Sequence, residues 1–213
     1  MTHDSRPSSA TLPVASPEVS LLRDAVERHR EVLGQRLAAG EDGLALGRAN
    51  ARFLKACVEA RFGEAQRLAG VSATQRGGLA VAAVGSLGRG AVALRSDADV
   101  VVIVESRKVD ARDATNFAEA LLYPLWDATL AVGHQVLSVV DAVPLAQADL
   151  ATATALLDLR MLAGDDAPMR ELITRANEGL FGEDDLGAFI DRVDAEATAR
   201  HERFGGSVYL LEP

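Results

Sequence analysis

Two aspartates, Asp97 and Asp99, stand directly before the apolar run Val100-Val101-Val102-Ile103-Val104. In a strand the period of two sets both carboxylates on one face, which Val101 and Ile103 continue. Carboxylates this close repel each other unless a cation lies between them, and hard oxygen ligands of this kind suit Mg2+ shared with the phosphates of a substrate. Upstream lies Val84-Gly85-Ser86-Leu87-Gly88-Arg89-Gly90, a glycine-rich turn whose backbone N–H groups can closely approach a ligand, with the Ser86 hydroxyl beside them. Such a turn followed by an acidic pair points to metal-assisted chemistry on a phosphate.

The elements that must position these residues follow from periodicity. Residues 79–84, rich in valine and alanine, predict a buried strand leading into the turn, and residues 100–104 predict a second. Ahead of them, Leu21, Leu22, Ala25, Val26, Val32, Leu33 and Leu37 recur at helical spacing over 19–37; Leu46, Phe53, Leu54, Cys57, Val58 and Phe62 do so over 44–68. His29, among Arg28, Arg30 and Glu31, reads as part of a solvated face. Residues 111–129 predict a helix with Phe117, Leu121, Leu122, Leu125 and Trp126 inward, kinked or broken at Pro124, with Trp126 as a core anchor. A strand is expected over 132–140, with His134, Val136 and Ser138 on one face and Gln135, Leu137 and Val139 on the other. The remainder reads as helical: a nearly continuous apolar band over 144–162 ended by Gly164, then helices over 169–180 and 184–203, and a turn with a short strand over 205–213. Arg200, His201 and Arg203 suit the end of the last helix without any ligand.

Gly85-Ser86, ten residues, then Asp97-Ala98-Asp99 resembles the signature of the DNA polymerase β-like nucleotidyltransferase superfamily. The wider wording narrows this: Gly88-Arg89-Gly90 with Ser96-Asp97-Ala98-Asp99, then Leu125-Trp126-Asp127, Val132-Gly133-His134, the stretch from Leu156 to Asp165 and that from Arg200 to Pro213. Together they resemble the N-terminal region of bacterial PII uridylyltransferases over residues 79–213. The resemblance implies an α+β fold of the polymerase β-like kind: a small mixed sheet flanked by helices, with N- and C-terminal helical additions. It also implies transfer of UMP from UTP to a tyrosine of the signalling protein PII, in nitrogen regulation. Asp97 and Asp99 would then be catalytic and hold Mg2+; Gly85, Ser86, Gly88, Arg89 and Ser96 would bind nucleotide, with Arg89 balancing charge on the departing pyrophosphate. His134 is a further candidate, either orienting a phosphate or carboxylate or buried and satisfied by backbone. The chain departs from the family wording at Ala91, usually Glu, and at Gln135, Leu137 and Ser138, usually Ser, Arg and Thr; no acid inside that strand supplies a third metal ligand. The alternatives are a nucleotide-binding regulatory or inactive transferase-like module, and an adenylyltransferase with another acceptor.

Of 213 residues, 48% are hydrophobic, enough for a sizeable core, and 31 acidic against 22 basic residues give a net charge of −9. That balance argues against a general nucleic-acid binder, which needs a basic surface. The lone Cys57 excludes an internal disulfide and fits a reducing cytoplasm, most simply as core. No apolar run is long enough for a membrane span, and no signal pattern opens the chain, so a cytoplasmic protein is expected. The expected organisation is a disordered leader over 1–17, N-terminal helices over 18–70, a nucleotidyltransferase core over 71–165 and a helical extension over 166–213 ending in a short strand. Members of the resembled family continue into hydrolase and ligand-sensing domains, so either a piece of such a protein or a stand-alone transferase domain is expected.

Overall fold

The fold is seen in a computed structural model that describes residues 17–72, 75 and 77–203. Of the expected leader over 1–17 all but Pro17, which opens the first helix, lies outside the described residues, as do the expected turn and strand over 205–213.

Helices α1 (Pro17–Ala38) and α2 (Gly43–Leu68) form where the 3.6-residue period places apolar side chains on one stripe. Asp42 caps α2 by accepting from the Ala45 N–H at 2.9 Å. Leu54, Cys57, Val58 and Phe62 of α2 are buried, as expected. On α1 only Val19, Val26 and Leu33 are, while Leu21, Val32 and Leu37 face water. Burial pushes the Cys57 thiol up to about 11, consistent with a packing role.

Strand β1 (Leu79–Ala83) is buried at every position because both sides of the sheet are covered. It leads through a single helical turn, α3 (Gly85–Arg89), to β2 (Ala98–Val104), which pairs with it antiparallel. Helix α4 (Ala111–Asp127) then crosses one face and delivers β3 (Val132–Ser138) parallel to β2. Contrary to expectation, Pro124 does not break α4: it lies in the last turn, where its carbonyl still accepts from Ala128 N–H at 3.1 Å. Trp126 is not a core anchor either. It is 37% exposed, and its indole N–H donates to the Val132 carbonyl at 2.9 Å.

The larger correction concerns residues 144–162, expected as one helix. They hold two short helices, α5 (Ala142–Ala148) and α6 (Leu150–Leu157), and the start of a strand, β4 (Arg160–Gly164). Asp149 divides the helices, accepting from both the N–H and the Oγ1 of Thr152 at 2.7 and 2.6 Å as the cap of α6. β4 covers the free edge of β1 antiparallel, with an irregularity between Val81 and Ala82, giving the order β3-β2-β1-β4. Gly164, at φ +103°, fits because a Cβ there would meet the Leu79 carbonyl and Ala80 Cα. Helices α7 (Asp166–Gly179) and α8 (Glu183–Arg203) complete the described chain, as expected from their periodicity.

The sheet thus separates two cores. On one face Val81, Val100 and Val102 meet α2 and α4, where Phe62 and Phe117 pack edge to face with centroids 5.3 Å apart. On the other, Ala80, Ala82, Val101, Ile103 and Leu137 meet α5, α6 and α7. No helix among the described residues is long and apolar enough to cross a membrane.

Candidate functional site around Asp99

Asp99 is the second residue of β2, half-buried, and Asp97 stands exposed just before the strand begins. In the parallel register Asp99 lies opposite Gly133 of β3, and its carboxylate occupies the space that a Cβ on Gly133 would need. A Cβ on Gly85 would come within 3.6 Å of Asp99 Oδ2. Gly133 therefore clears the room for this carboxylate at the C-terminal end of β1, while Gly85 sits at ordinary contact distance from it. Burial first, and the charge of Asp97 second, raise the Asp99 pKa. The charge of Asp97 is thus near enough to be felt at Asp99.

The expected open turn over 84–90 is one turn of helix instead. Gly85, at φ +54°, swings the chain off β1; Gly88 N–H then donates to the Val84 carbonyl at 2.9 Å, and Gly90, at φ +81°, ends the turn. The first N–H groups of such a turn have no acceptor within it and no side chain caps them. Gly88 itself is buried against the Asp158 carbonyl, where a Cβ could not fit, so its contact is with the chain after α6. Arg89 is ion-paired with the Asp158 carboxylate.

Gly85, Arg89, Asp99 and His134 line one cleft of about 540 Å³ between the sheet end and α6, together with Gln135 and Asp158. Ser86 sits at the start of α3 beside it. Ser96 turns away and lines a neighbouring cleft, its Oγ 3.4 Å from Asp97 Oδ1. His134 is exposed on the edge strand, opposite Val100, with its ring tilted at 59° to that of Trp126 and 5.6 Å from it. Exposed, and with no hydrogen bond from its ring to backbone among the described residues, it lines the cleft. Sequence reasoning missed Asp158 and Gln135 as lining residues. Gln135 follows His134 directly and so was within reach; Asp158 lies in the Leu156–Asp165 stretch that carries the resemblance, but only the docking of α6 brings it to Arg89.

No family model matches the chain. A bifunctional uridylyltransferase/uridylyl-removing enzyme of Erythrobacter litoralis is 35% identical over 208 residues, which is 93% of this chain and 22% of that protein. Those of Rhodopseudomonas palustris and Gluconobacter oxydans are each 38% identical over 135 residues, 63% of this chain and 14% of each relative. The chain is homologous to a segment of these enzymes. It spans less than a quarter of their length.

In this uridylyltransferase homologue the donor set for a cation is small. Among the described residues no group of three or more His, Cys, Asp or Glu side chains gathers to hold a metal. Asp99 lines the cleft and Asp97 stands exposed two residues before it, a pair that fits a hard divalent ion completing its shell from water and phosphate oxygens. The half-burial of Asp99 beside a second negative charge is the electrostatic circumstance that a bound cation relieves.

Proposed function

We propose that the chain is a nucleotidyltransferase domain of the polymerase β-like kind, transferring UMP from UTP to a protein hydroxyl, a tyrosine of a PII-like signalling protein. The observation that carries the reading is the Asp99 carboxylate, seated between Gly85 and Gly133 in the same cleft as Arg89, with Asp97 beside it. The names of the relatives support the class of reaction. Mg2+ held by Asp97 and Asp99 would supply Lewis-acid polarisation of the phosphate and of the attacking hydroxyl. The chain's own residues do the rest. Backbone N–H groups at Gly85 and Ser86, with the Ser86 hydroxyl, hold the terminal phosphates. Arg89 balances the charge that grows on the leaving pyrophosphate. His134 and Gln135, which line the cleft, contact the remainder of the nucleotide.

The test is thermal stabilisation by UTP, ATP, CTP and GTP, each with and without Mg2+, on this chain and on the Asp97→Ala, Asp99→Ala double variant. A ligand that binds only the native state raises the melting temperature by mass action. Stabilisation by UTP that needs both Mg2+ and the two aspartates is expected, and labelled UTP then assays transfer to PII. A flat response to every nucleotide would sink the reading. The Arg89–Asp158 pair favours one second reading: nucleotide binding without turnover, in which stabilisation appears and transfer does not. A larger shift with ATP than with UTP would instead make the domain an adenylyltransferase.

A further inference from the structure

A second cleft of about 580 Å³ lies on the other face of the sheet end, between α1, α2 and the segments 94–96 and 130–131. Its wall is a stack: the His29 imidazole lies flat on the Phe53 ring, with centroids 3.9 Å apart and planes at 11°. The expectation of a solvated His29 is thereby corrected, since the ring is half-buried.

The stack is held in place. The Asn50 amide nitrogen donates to the Val92 and Ala93 carbonyls at 3.3 and 3.2 Å, which leaves its Oδ1 facing His29 Nε2 at 3.3 Å. Nε2 is therefore the donor, and burial keeps the imidazole pKa below its ordinary value. At neutral pH the wall is an uncharged aromatic surface braced by Asn50, which is buried.

The rim has the opposite sign to the molecule as a whole. Arg30 and Arg95 line it on a chain of net charge −9. Arg30 is committed to the turn after α4, donating to the Thr129 carbonyl at 2.7 Å and Oγ1 at 2.9 Å, where Thr129 holds φ +65°. Arg95 is exposed and pairs with no carboxylate among the described residues. Its guanidinium is thus open to a ligand at this cleft.

Position decides what such a cleft would serve. Residues 96–99 join the two clefts: Ser96 lines this one, Asp99 lines the other, and Asp97 stands between them. In an in-line displacement at phosphorus the attacking and leaving oxygens lie on opposite sides of the reacting atom. With the leaving group held by Arg89 in one cleft, the cleft lined by Ser96 is the one left for the nucleophile. A cleft of about 540 Å³ is already of the size that holds one small-molecule ligand, so the nucleotide leaves the second cleft free.

We infer that the cleft between α1 and α2 seats the acceptor, a peptide segment that lays an aromatic ring on the His29–Phe53 stack with its hydroxyl toward Ser96 and Asp97, and presents carboxylates to Arg95. The inference rests on the nucleotidyl-transfer reading. In the step it serves, the phenolic oxygen bonds to the α-phosphorus, the bond from that phosphorus to the bridging oxygen of the β-phosphate breaks, pyrophosphate leaves with the electron pair, and the phenolic proton passes to solvent.

The test uses the whole chain and a synthetic peptide, Glu-Glu-Tyr-Glu-Glu, with the His29 ring resonances followed by NMR. Saturable shifts at His29 are expected, with binding about tenfold weaker when alanine replaces the peptide's tyrosine, the loss of one aromatic contact. Gly34 lies on α1 in the cleft wall, and a Cβ there meets nothing within 4 Å, so Gly34→Trp fills the cleft from an open position. It should abolish the peptide shifts and leave the stabilisation by UTP with Mg2+ intact. If that variant folds poorly, Arg95→Glu should weaken peptide binding several-fold by reversing the rim charge. Absence of peptide binding, shifts at His134 and Gln135 instead of His29, or loss of nucleotide stabilisation in Gly34→Trp would each overturn the inference. Failure of UTP with Mg2+ to stabilise the unmodified chain would tell against the nucleotidyl-transfer reading itself, and is read separately from the peptide shifts.

Discussion

The cleft around Asp99 is walled by strand ends and charge, whereas the cleft between α1 and α2 is walled by rings. In the first, Gly133 acts by what it lacks, since the Asp99 carboxylate fits only where no Cβ stands. In the second, His29, Phe53 and Asn50 act by what they carry, a stack tied to the loop before β2. Strand ends paired in register locate a reacting group closely, because each side chain inherits the position of a hydrogen-bonded backbone. Side chains on helices offer area and chemistry for recognition, with more freedom to adjust. The chain places one kind of wall on each side of Asp97.

Four perturbations would break or sharpen that contrast. The largest effect is expected from Phe117→Ala on α4, fully buried beneath the first face of the sheet, at a cost of about 3–5 kcal/mol in urea or thermal unfolding. If the two clefts share this foundation, both lose their ligands over one transition; two separate transitions would show that they do not. Gly133→Ala should act on one cleft only. By displacing the Asp99 carboxylate it should slow transfer by about 10²-fold, the scale of a misplacement near 1 Å, without moving the His29 resonances. An unchanged rate would mean that Asp99 is not held where the chemistry needs it.

Asp158→Asn should release Arg89 toward bound phosphate. The partners are 61% and 24% exposed, so an ion pair of this kind is worth at most about 1 kcal/mol and the gain in nucleotide affinity should be no more than about fivefold. Weaker binding in that variant would assign Asp158 itself to the ligand. The smallest effect concerns pH. Burial, opposed by the Asn50 hydrogen bond and joined by the charge of Arg36, lowers the His29 pKa below 6.5. The unfolded chain then takes up the proton first as pH falls, so the contribution of His29 to stability is whole above about pH 6.5 and declines through the folded value. Against His29→Gln, the melting temperature of the unmodified chain should fall away only below that point. Parallel curves would show that the stack does not exclude the proton.

Much of the scaffold was legible because one local pattern sufficed for it. Residues 79–84 and 100–104 are apolar, β-branched or small; buried from both sides, they have no competing conformation. Phe117, Leu121, Leu122 and Leu125 lie inward as their spacing requires. β4 was not legible, since Met161, Leu162 and Ala163 continue the apolar band of the preceding helix and become a strand only by satisfying the open edge of β1. Trp126 misled for a related reason: its place on the helix was read correctly, but its indole leans out over β3 to find an acceptor.

The sequence by itself determined the acidic pair, the glycine turn, the order of the elements up to β3 and the kinship with uridylyltransferases, because spacing along the chain encodes all of these. Tertiary structure alone decided which groups share a cleft. It set the Asp99 carboxylate over Gly133, tied Arg89 to Asp158, turned Ser96 toward α1 and laid His29 on Phe53. Each of these depends on two segments far apart in the chain meeting across a packed sheet, and the identity of a contact partner is not a property of either segment alone.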